Sequence, residues 1–430
     1  MSQPLTPRQD DTDVLVIGAG LVGSAIALRL ALQGRDVMLL DSGEPGQGAS
    51  FGNAGHIATE QVVPLANPQV IRASWRYLLQ TDSPLRLRLA YLVPILPWLT
   101  RFVWAARPSG LARGIAALMA LQRTSLDDLS QLMREADCGP LLHRDGYLRV
   151  WEGAAGRASA SAQALQLGRF GVTSATVDLT TVRRIAPALT QAVQGAMAYP
   201  QTGHVDDPLA VTQAFVAALQ RAKGRVGREQ VAGLVRERDG PVTAVLAGGR
   251  RIRCRQLVVC AGAWSAPLAA SLGYRVPLDT ERGYHLTVPW ATAGDTVQHA
   301  KWLTQPVAST ERNVIMTPMR MGLRITGTVE FGGLTLPPDP HRHALLHQQL
   351  TALLPGLSSR GATHWMGFRP SLPDHLPVMC EAPRHPGVFF AFGHQHLGLT
   401  LCGVTARLMA DLMQGRTPDI DMAPYHVDRF

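Results

Sequence analysis

The chain has 430 residues, more than one small core can organise, so two domains are expected. A hydrophobic share of 46% against 17% charged residues excludes an intrinsically disordered polypeptide, and no low-complexity tract or fixed-period repeat interrupts it. The formal charge of +9 is almost all arginine, spread without a basic run, which argues against nucleic-acid binding and leaves solubility or a weak attraction to an anionic membrane surface.

Met1 to Thr12 is polar and lacks the apolar stretch of a signal peptide. Asp13 to Ile17 then reads as a buried parallel strand running straight into Gly18-Ala19-Gly20-Leu21-Val22-Gly23. A helical pattern follows to Gly34, and a second strand, Asp36 to Leu40, stops at Asp41. Each part has a physical role in a dinucleotide site. Gly18 permits the tight turn, Gly20 lets a pyrophosphate approach the backbone, and Gly23 lets helix and strand pack closely. The helix N-terminus offers free N–H groups to phosphate, and Asp41 stands where a carboxylate accepts from ribose hydroxyls.

After Asp41 and Ser42 comes a loop of small residues through Gly46, Gly48, Ser50, Gly52, Asn53, Ala54 and Gly55, where a NAD dehydrogenase would normally proceed to another strand. Backbone this bare suits a chain lying along an extended cofactor such as FAD. Residues 68–135 read as helical, an outer cover for the second domain. Their most apolar part is Leu85–Ala106, whose uncharged run Leu89 to Thr100 is too short to span a bilayer and contains Pro94 and Pro97. Trp75, Trp98 and Trp104 lie there with Arg86, Arg88, Arg101 and Arg107, a mix that suits either a membrane interface or a helical cover with arginines in solvent.

Strands are expected at Tyr147–Trp151, Ala196–Tyr199, His285–Val288 and Arg324–Val329, forming an antiparallel sheet, and Gly227–Val235 with Val242–Leu246 read as a hairpin. Gln256 to Cys260 is a strand ending in the turn Ala261-Gly262-Ala263-Trp264, a return to the nucleotide domain. A last strand, Phe389–Phe392, leads through Gly393 into a helix ending at Met413. The cysteines at 138, 254, 260, 380 and 402 are odd in number and lack metal-ligand spacing, which argues against a disulfide framework or a zinc site and for a reducing, cytoplasmic compartment.

Together these segments resemble the D-amino-acid oxidase-like family of FAD enzymes over essentially the whole chain, and within it most nearly the bacterial D-amino-acid dehydrogenases. The resemblance is carried by Ser50-Phe-Gly-Asn53-Ala54-Gly55, Glu281-Arg282-Gly283-Tyr284-His285, Gly367-Phe-Arg369-Pro370-Ser-Leu-Pro-Asp374 and Gly393-His394-Gln395-His396-Leu397-Gly398-Leu399-Thr400. It implies an α/β fold in which a Rossmann-like FAD domain (residues 1–60, 207–276 and 356–430) is interleaved with an α+β substrate domain (61–206 and 277–355). The FAD contacts implied are Gly18, Gly20, Leu21, Val22, Gly23, Asp41, Ser42, Gly48, Ser50, Asn53, Ala54, Gly55, Val231, Ala261, Gly262, Trp264, Arg369, Gly393, His396, Leu397, Gly398, Leu399 and Thr400. Some relatives attach FAD through a histidine; the matching position is Gly52, and His56 falls past it, so non-covalent FAD is implied.

The resemblance assigns Arg369 to the substrate carboxylate, and a guanidinium fork matches a carboxylate bidentately. Tyr284 is the candidate for an aromatic hydroxyl over the substrate, its other reading being a strand residue packed on the core. His394 and His396 are active-site candidates or neighbours of a helix cap. Arg282 is expected to brace a loop, and Arg324 to be structural. The activity implied is hydride transfer from Cα of a small D-amino or cyclic imino acid, of D-proline or cis-4-hydroxy-D-proline type, to flavin N5. Electrons would pass to a quinone or respiratory-chain component, with the protein in the cytoplasm at the inner face of the membrane. Two other readings stand: an oxygen-using amine oxidase of glycine or sarcosine oxidase type, and a flavin-binding subunit without catalysis.

Overall fold

The computed structural model describes residues 11–78, 83–236, 242–290 and 302–430. The polar start, residues 1–10, lies outside them, as does the Trp75 side chain.

Thr12–Ile17 pairs in parallel with Val37–Asp41 on one side and Arg251–Val259 on the other, which places it at the centre of an eight-stranded sheet. A central parallel strand is covered on both faces, which is why its apolar run does not alternate with polar residues. Val14 and Val16 pack under one helical layer, while Leu15 and Ile17 join a separate core on the other side. The long strand Arg251–Val259 divides its far edge. Its first half pairs with Val242–Leu246 and its second half with the parallel strand Val388–Phe392.

Two expectations change here. Gly227 and Arg228 end the parallel strand Arg225–Arg228 beside Val37–Asp41, so the hairpin begins only at Val231. The turn between them therefore crosses the C-terminal edge of the sheet. The long helix Pro108–Glu135 is also not a cover over the second sheet. Its Leu118, Leu121, Leu129, Leu132 and Met133 share one core with the helices Leu21–Leu32, Pro208–Arg221 and Gly398–Met413 of the nucleotide layer. All five cysteines are buried free thiols.

The second sheet has nine strands, running from Thr363–Ser371 through Asp279–Pro289, Gly322–Phe331, Val314–Met319, Val307–Ser309, Tyr147–Trp151 and Gly195–Tyr199 to Ala175–Val177, with Leu85–Leu87 beside Gly322–Phe331. Its back face carries Tyr284, Leu286, Val288, Leu148 and Ile325 against the helix Pro340–Leu353. Its front face meets the small-residue loop at residues 51–53. A three-stranded sheet of His56–Ile57, Gly203–Val205 and Leu142–His143 closes one end.

Among the described residues no single helix is long and apolar enough to cross a membrane. Leu89–Ala105 and Pro108–Glu135 would pass together by length and composition, but the chain bends by 86° between them.

The nucleotide layer depends on one close helix crossing, where a Cβ at Gly403 would overlap backbone of Asp128 and Leu129. Gly403→Ala should force those helices apart and destabilise the fold by about 1–3 kcal/mol. The exposed Gly248, with open space around it, should tolerate alanine. Thermal midpoints of the two variants check the difference.

Candidate functional site

The glycine turn sits where three parallel strands end. Gly18 has φ +106°, and a Cβ there would collide with the Cys260 carbonyl, so only glycine fits. Asp41 closes the turn, its Oδ2 accepting from Ala19 N at 2.7 Å and its Oδ1 from Gly43 N at 2.9 Å. Each oxygen keeps a second lone pair for another donor. The helix Leu21–Leu32 has no side-chain N-cap from Gly20, although Ser50 Oγ accepts from Leu21 N at 3.0 Å. Cys260 N donates to Ile17 O at 2.7 Å, so the second glycine turn, Ala261-Gly262, lies beside the first. Glu229 N donates to Asp41 O at 2.7 Å and brings Val231 over the same edge. Ser42 and Gly48 are exposed, and Trp264 packs edge-on to Phe368. Gly20 to Gly23, Asp41, Ser50, Val231, Ala261 and Gly262 thus gather at the carboxyl ends of the parallel strands, the place where open α/β sheets bind ligands.

The small-residue loop is pinned from both sides. The buried Arg324 donates to Phe51 O at 3.1 Å, to Asn53 O at 2.7 Å and to Thr287 Oγ1 at 3.2 Å. Its burial lowers the guanidinium pKa to about 10, which still leaves it charged at neutral pH. Asn53 Oδ1 accepts from Gly55 N at 2.7 Å, Gly55 O accepts from Val205 N at 2.8 Å, and Thr400 Oγ1 accepts from Ala58 N at 3.0 Å. Any side chain at Gly52 would overlap the Trp365 indole, which itself stacks on His285 at 5.1 Å. The helix Gly398–Met413 likewise begins without a side-chain cap from Leu397. Two helix ends whose own N-cap residues offer no side chain, a glycine cradle and a clamped bare loop fit a dinucleotide with two phosphates and a polar ring system.

Arg369 lies on the front face of the second sheet, in register with Glu281, its guanidinium over Gly283 where a Cβ would strike it. Among the described residues no hydrogen-bond partner holds that guanidinium. Burial works against its charge, and the Glu281 carboxylate offsets this. Burial in turn raises the Glu281 pKa. His375 places Nε2 3.8 Å from Glu281 Oε1. His396 is half-buried, and burial followed by the Arg369 charge lowers its pKa to about 3, so it is a neutral imidazole. The buried Gln395, held by its N–H on Pro370 O at 3.0 Å, has an amide nitrogen without a partner. The buried Glu60 also acts on His396 electrostatically; its Oε1 takes His56 Nε2 at 3.2 Å, while its Oε2 has no partner among the described residues.

Two catalytic candidates do not belong to this group. Tyr284 is on the back face, where it donates to Glu330 and accepts from Asp339 N at 2.9 Å. Strand alternation separates it from Arg369, because residues 281, 283 and 285 share a face that 284 does not. His394 turns into the protein, its Nε2 3.0 Å from Thr405 Oγ1 on the C-terminal helix, and burial lowers its pKa to about 3. It holds the turn Gly393–Leu397 to the helix. Arg282 braces a loop as expected, donating to the carbonyls of Gly332, Gly333, Leu336 and Pro337. Glu281, His375, Trp365 and Glu60 were not singled out from sequence. Glu281 opens the motif Glu281–His285, where only strand parity could have given it a role, and Glu60, Trp365 and His375 fall outside the motifs.

A family described as FAD dependent oxidoreductase matches residues 13–412. A D-amino-acid oxidase of Bradyrhizobium diazoefficiens is 31% identical over 425 residues, covering 97% of this chain and 98% of its own. A D-amino acid dehydrogenase 2 of Ralstonia nicotianae is 30% identical over 428 residues, covering 97% and 100%. Among solved structures, glycine oxidase from Geobacillus kaustophilus matches with TM-score 0.72 at 20% identity over 98% of this chain and all of that one. L-proline dehydrogenase from P. horikoshii matches at TM-score 0.71 and 17% identity over 98% of each chain.

Arg324→Met removes two charge-assisted hydrogen bonds from the loop, so FAD affinity measured by titration of the apoprotein should fall by about tenfold or more. Tyr284→Phe should leave KM and kcat unchanged but lower stability by about 1–3 kcal/mol, because Glu330 and the Asp339 amide lose a buried partner. A large fall in kcat with unchanged stability would return Tyr284 to the site.

Proposed function

Because the chain belongs to the FAD dependent oxidoreductase family, we propose that it oxidises the Cα–N bond of a small D-amino or cyclic imino acid and passes the electrons to a quinone or another non-oxygen acceptor. The observation that carries this reading is Arg369, a guanidinium half-buried on the front face, without a hydrogen-bond partner among the described residues and near a neutral imidazole. A carboxylate is the ligand that such a fork takes most readily, through two parallel N–H···O bonds.

FAD, when bound, supplies the two-electron acceptor for the Cα hydrogen. Its holders would be the residues around Gly18–Gly23 and Asp41, the clamped loop Ser50–Gly55 and the start of the helix Gly398–Met413. The rest of the work is orientation. Arg369 fixes the carboxylate, Gly283 leaves room for the guanidinium, and Glu281 holds that charge in place from the neighbouring strand. His396 receives no proton at neutral pH, so it can accept a hydrogen bond from a substrate amine without repelling it. Positioned this way, the amine reacts in its neutral form and no carboxylate base is needed.

For a substrate of D-proline or cis-4-hydroxy-D-proline type, the ring hydroxyl would be read by His396 and by the unpartnered Gln395 amide, with no share for His394. The fold shared with a glycine oxidase favours one second reading, direct use of oxygen. A non-catalytic flavin subunit would have no use for the free Arg369 guanidinium.

Anaerobic mixing of the yellow protein with D- and L-amino acids, proline and hydroxyproline isomers included, tests the proposal. Bleaching near 450 nm by D-isomers supports it, rapid return of colour in air turns it to an oxidase, and no bleaching with any of them sinks it. Arg369→Ala should raise KM about a hundredfold or more, since a buried charged partner is lost. His396→Asn should leave the shape of the kcat/KM–pH profile unchanged between pH 5 and 9. With its pKa lowered to about 3, the imidazole is neutral across that range and contributes no limb there.

A further inference from the structure

The helix Leu92–Ala105 has two unlike faces. The inner one roofs the carboxylate end of the site. Ile95 and Trp98 are buried, Trp98 Nε1 donates to Ser371 O at 3.1 Å, and Phe102 packs 5.7 Å from the His375 ring. Just before it, Tyr91 donates to Asp279 at 3.0 Å. Ser371 and Asp279 stand two residues from Arg369 and Glu281 on their strands, so this helix packs against the end of the site.

The outer face is apolar and uncovered. Leu89 is 85% exposed, Val93 76% and Trp104 65%, with Val103, Leu96 and Leu92 exposed beside them. Scattered exposed apolar residues are ordinary, but here six of the thirteen large ones among the described residues fall between positions 89 and 104. Along the chain this segment carries one sign of charge. Between Asp82 and Asp127 there is no acidic residue, and Arg86, Arg101, Arg107 and Arg113 are all exposed, with the Arg107 guanidinium over the Trp104 ring.

We propose that this face docks on an anionic lipid bilayer. The apolar side chains enter the headgroup–acyl boundary, and the four arginines meet lipid phosphates. The helix has 14 residues, about 21 Å, too short to span and suited to lying in the interface plane. A second copy of the chain fits less well, because twofold contact would set arginine rim against arginine rim. The proposal rests on the quinone reading above and gives it a location: the site lies directly beneath the docked helix, within reach of an acceptor dissolved in the membrane.

The test uses the holoprotein and the double variant Val93→Asp/Trp104→Asp, whose changes are at exposed positions away from the site. Each is sedimented with vesicles of equal parts phosphatidylglycerol and phosphatidylcholine, and with phosphatidylcholine alone. D-amino-acid turnover is then read with a soluble dye and with short-chain ubiquinone held in the vesicles. Docking predicts binding to the anionic vesicles that added salt weakens and the double variant loses. It also predicts equal dye turnover in both proteins without vesicles and a fall of about tenfold or more in ubiquinone turnover for the variant. Equal sedimentation of both proteins would overturn the proposal. So would wild type that stays in solution as a dimer which the variant dissociates. Absent dye turnover in both would instead strike the catalytic reading, while sedimentation still judged the docking.

Discussion

One buried guanidinium joins the two halves of this molecule. Arg324 belongs to the second sheet, yet its hydrogen bonds end on backbone carbonyls of the loop that follows the nucleotide strands. That loop is rich in glycine and alanine and has few side chains to hold itself in place. Burying an arginine costs several kcal/mol unless its N–H groups find partners, and here three oxygens take those of Nε and Nη1. The energetic demand runs both ways: the loop is fixed because the arginine cannot be left unpaired. Everything the loop positions, from Gly52 under Trp365 to Gly55 on Val205, inherits that constraint.

The same sheet repeats the device on its back. Arg282 is fully buried among four backbone carbonyls and Glu330, and Tyr284 supplies that carboxylate with a second donor. Two buried arginines, one per face, tie the sheet to the segments packed against it. Against them Arg369 differs in kind, since its guanidinium is placed but not saturated. Its surroundings are histidines kept neutral by burial and a carboxyl whose charge burial disfavours. With neutral imidazoles about it and Glu281 in register on the neighbouring strand, the guanidinium keeps its hydrogen-bonding fork for a ligand.

Much of this was legible in the sequence because it follows local rules. The glycine turn, the first two strands, the C-terminal strand and its helix depend on residues close in the chain, and they fall where periodicity puts them. Arg369 was legible through its flanking motif. What stayed hidden depends on register. Tyr284 was placed over the substrate although Arg369 faces Glu281, and only the pairing of 281 with 369 reveals that 284 points away. His394 and His396 look equivalent in sequence, and the left-handed Gln395 between them, with φ +53°, sends one into the helix and the other toward the site. Glu60 arrives from a distant loop and His375 from the turn six residues past Arg369, and no spacing rule assigns either to the site. The long helix 108–135 was misassigned for a like reason, since its apolar stripe does not say which sheet's helices it will meet.

The helix Leu92–Ala105 connects these levels. Of its 14 residues only Ile95 and Trp98 are buried, so little apolar packing within the chain holds it down. Its specific anchor is a single hydrogen bond from Trp98 to the Ser371 carbonyl, at the end of the strand that carries Arg369. An element with so little buried surface and so much apolar surface outside is stabilised most by whatever covers that outside. A surface that settled the helix would therefore also settle Trp98, and through it the end of the Arg369 strand, on which carboxylate recognition depends.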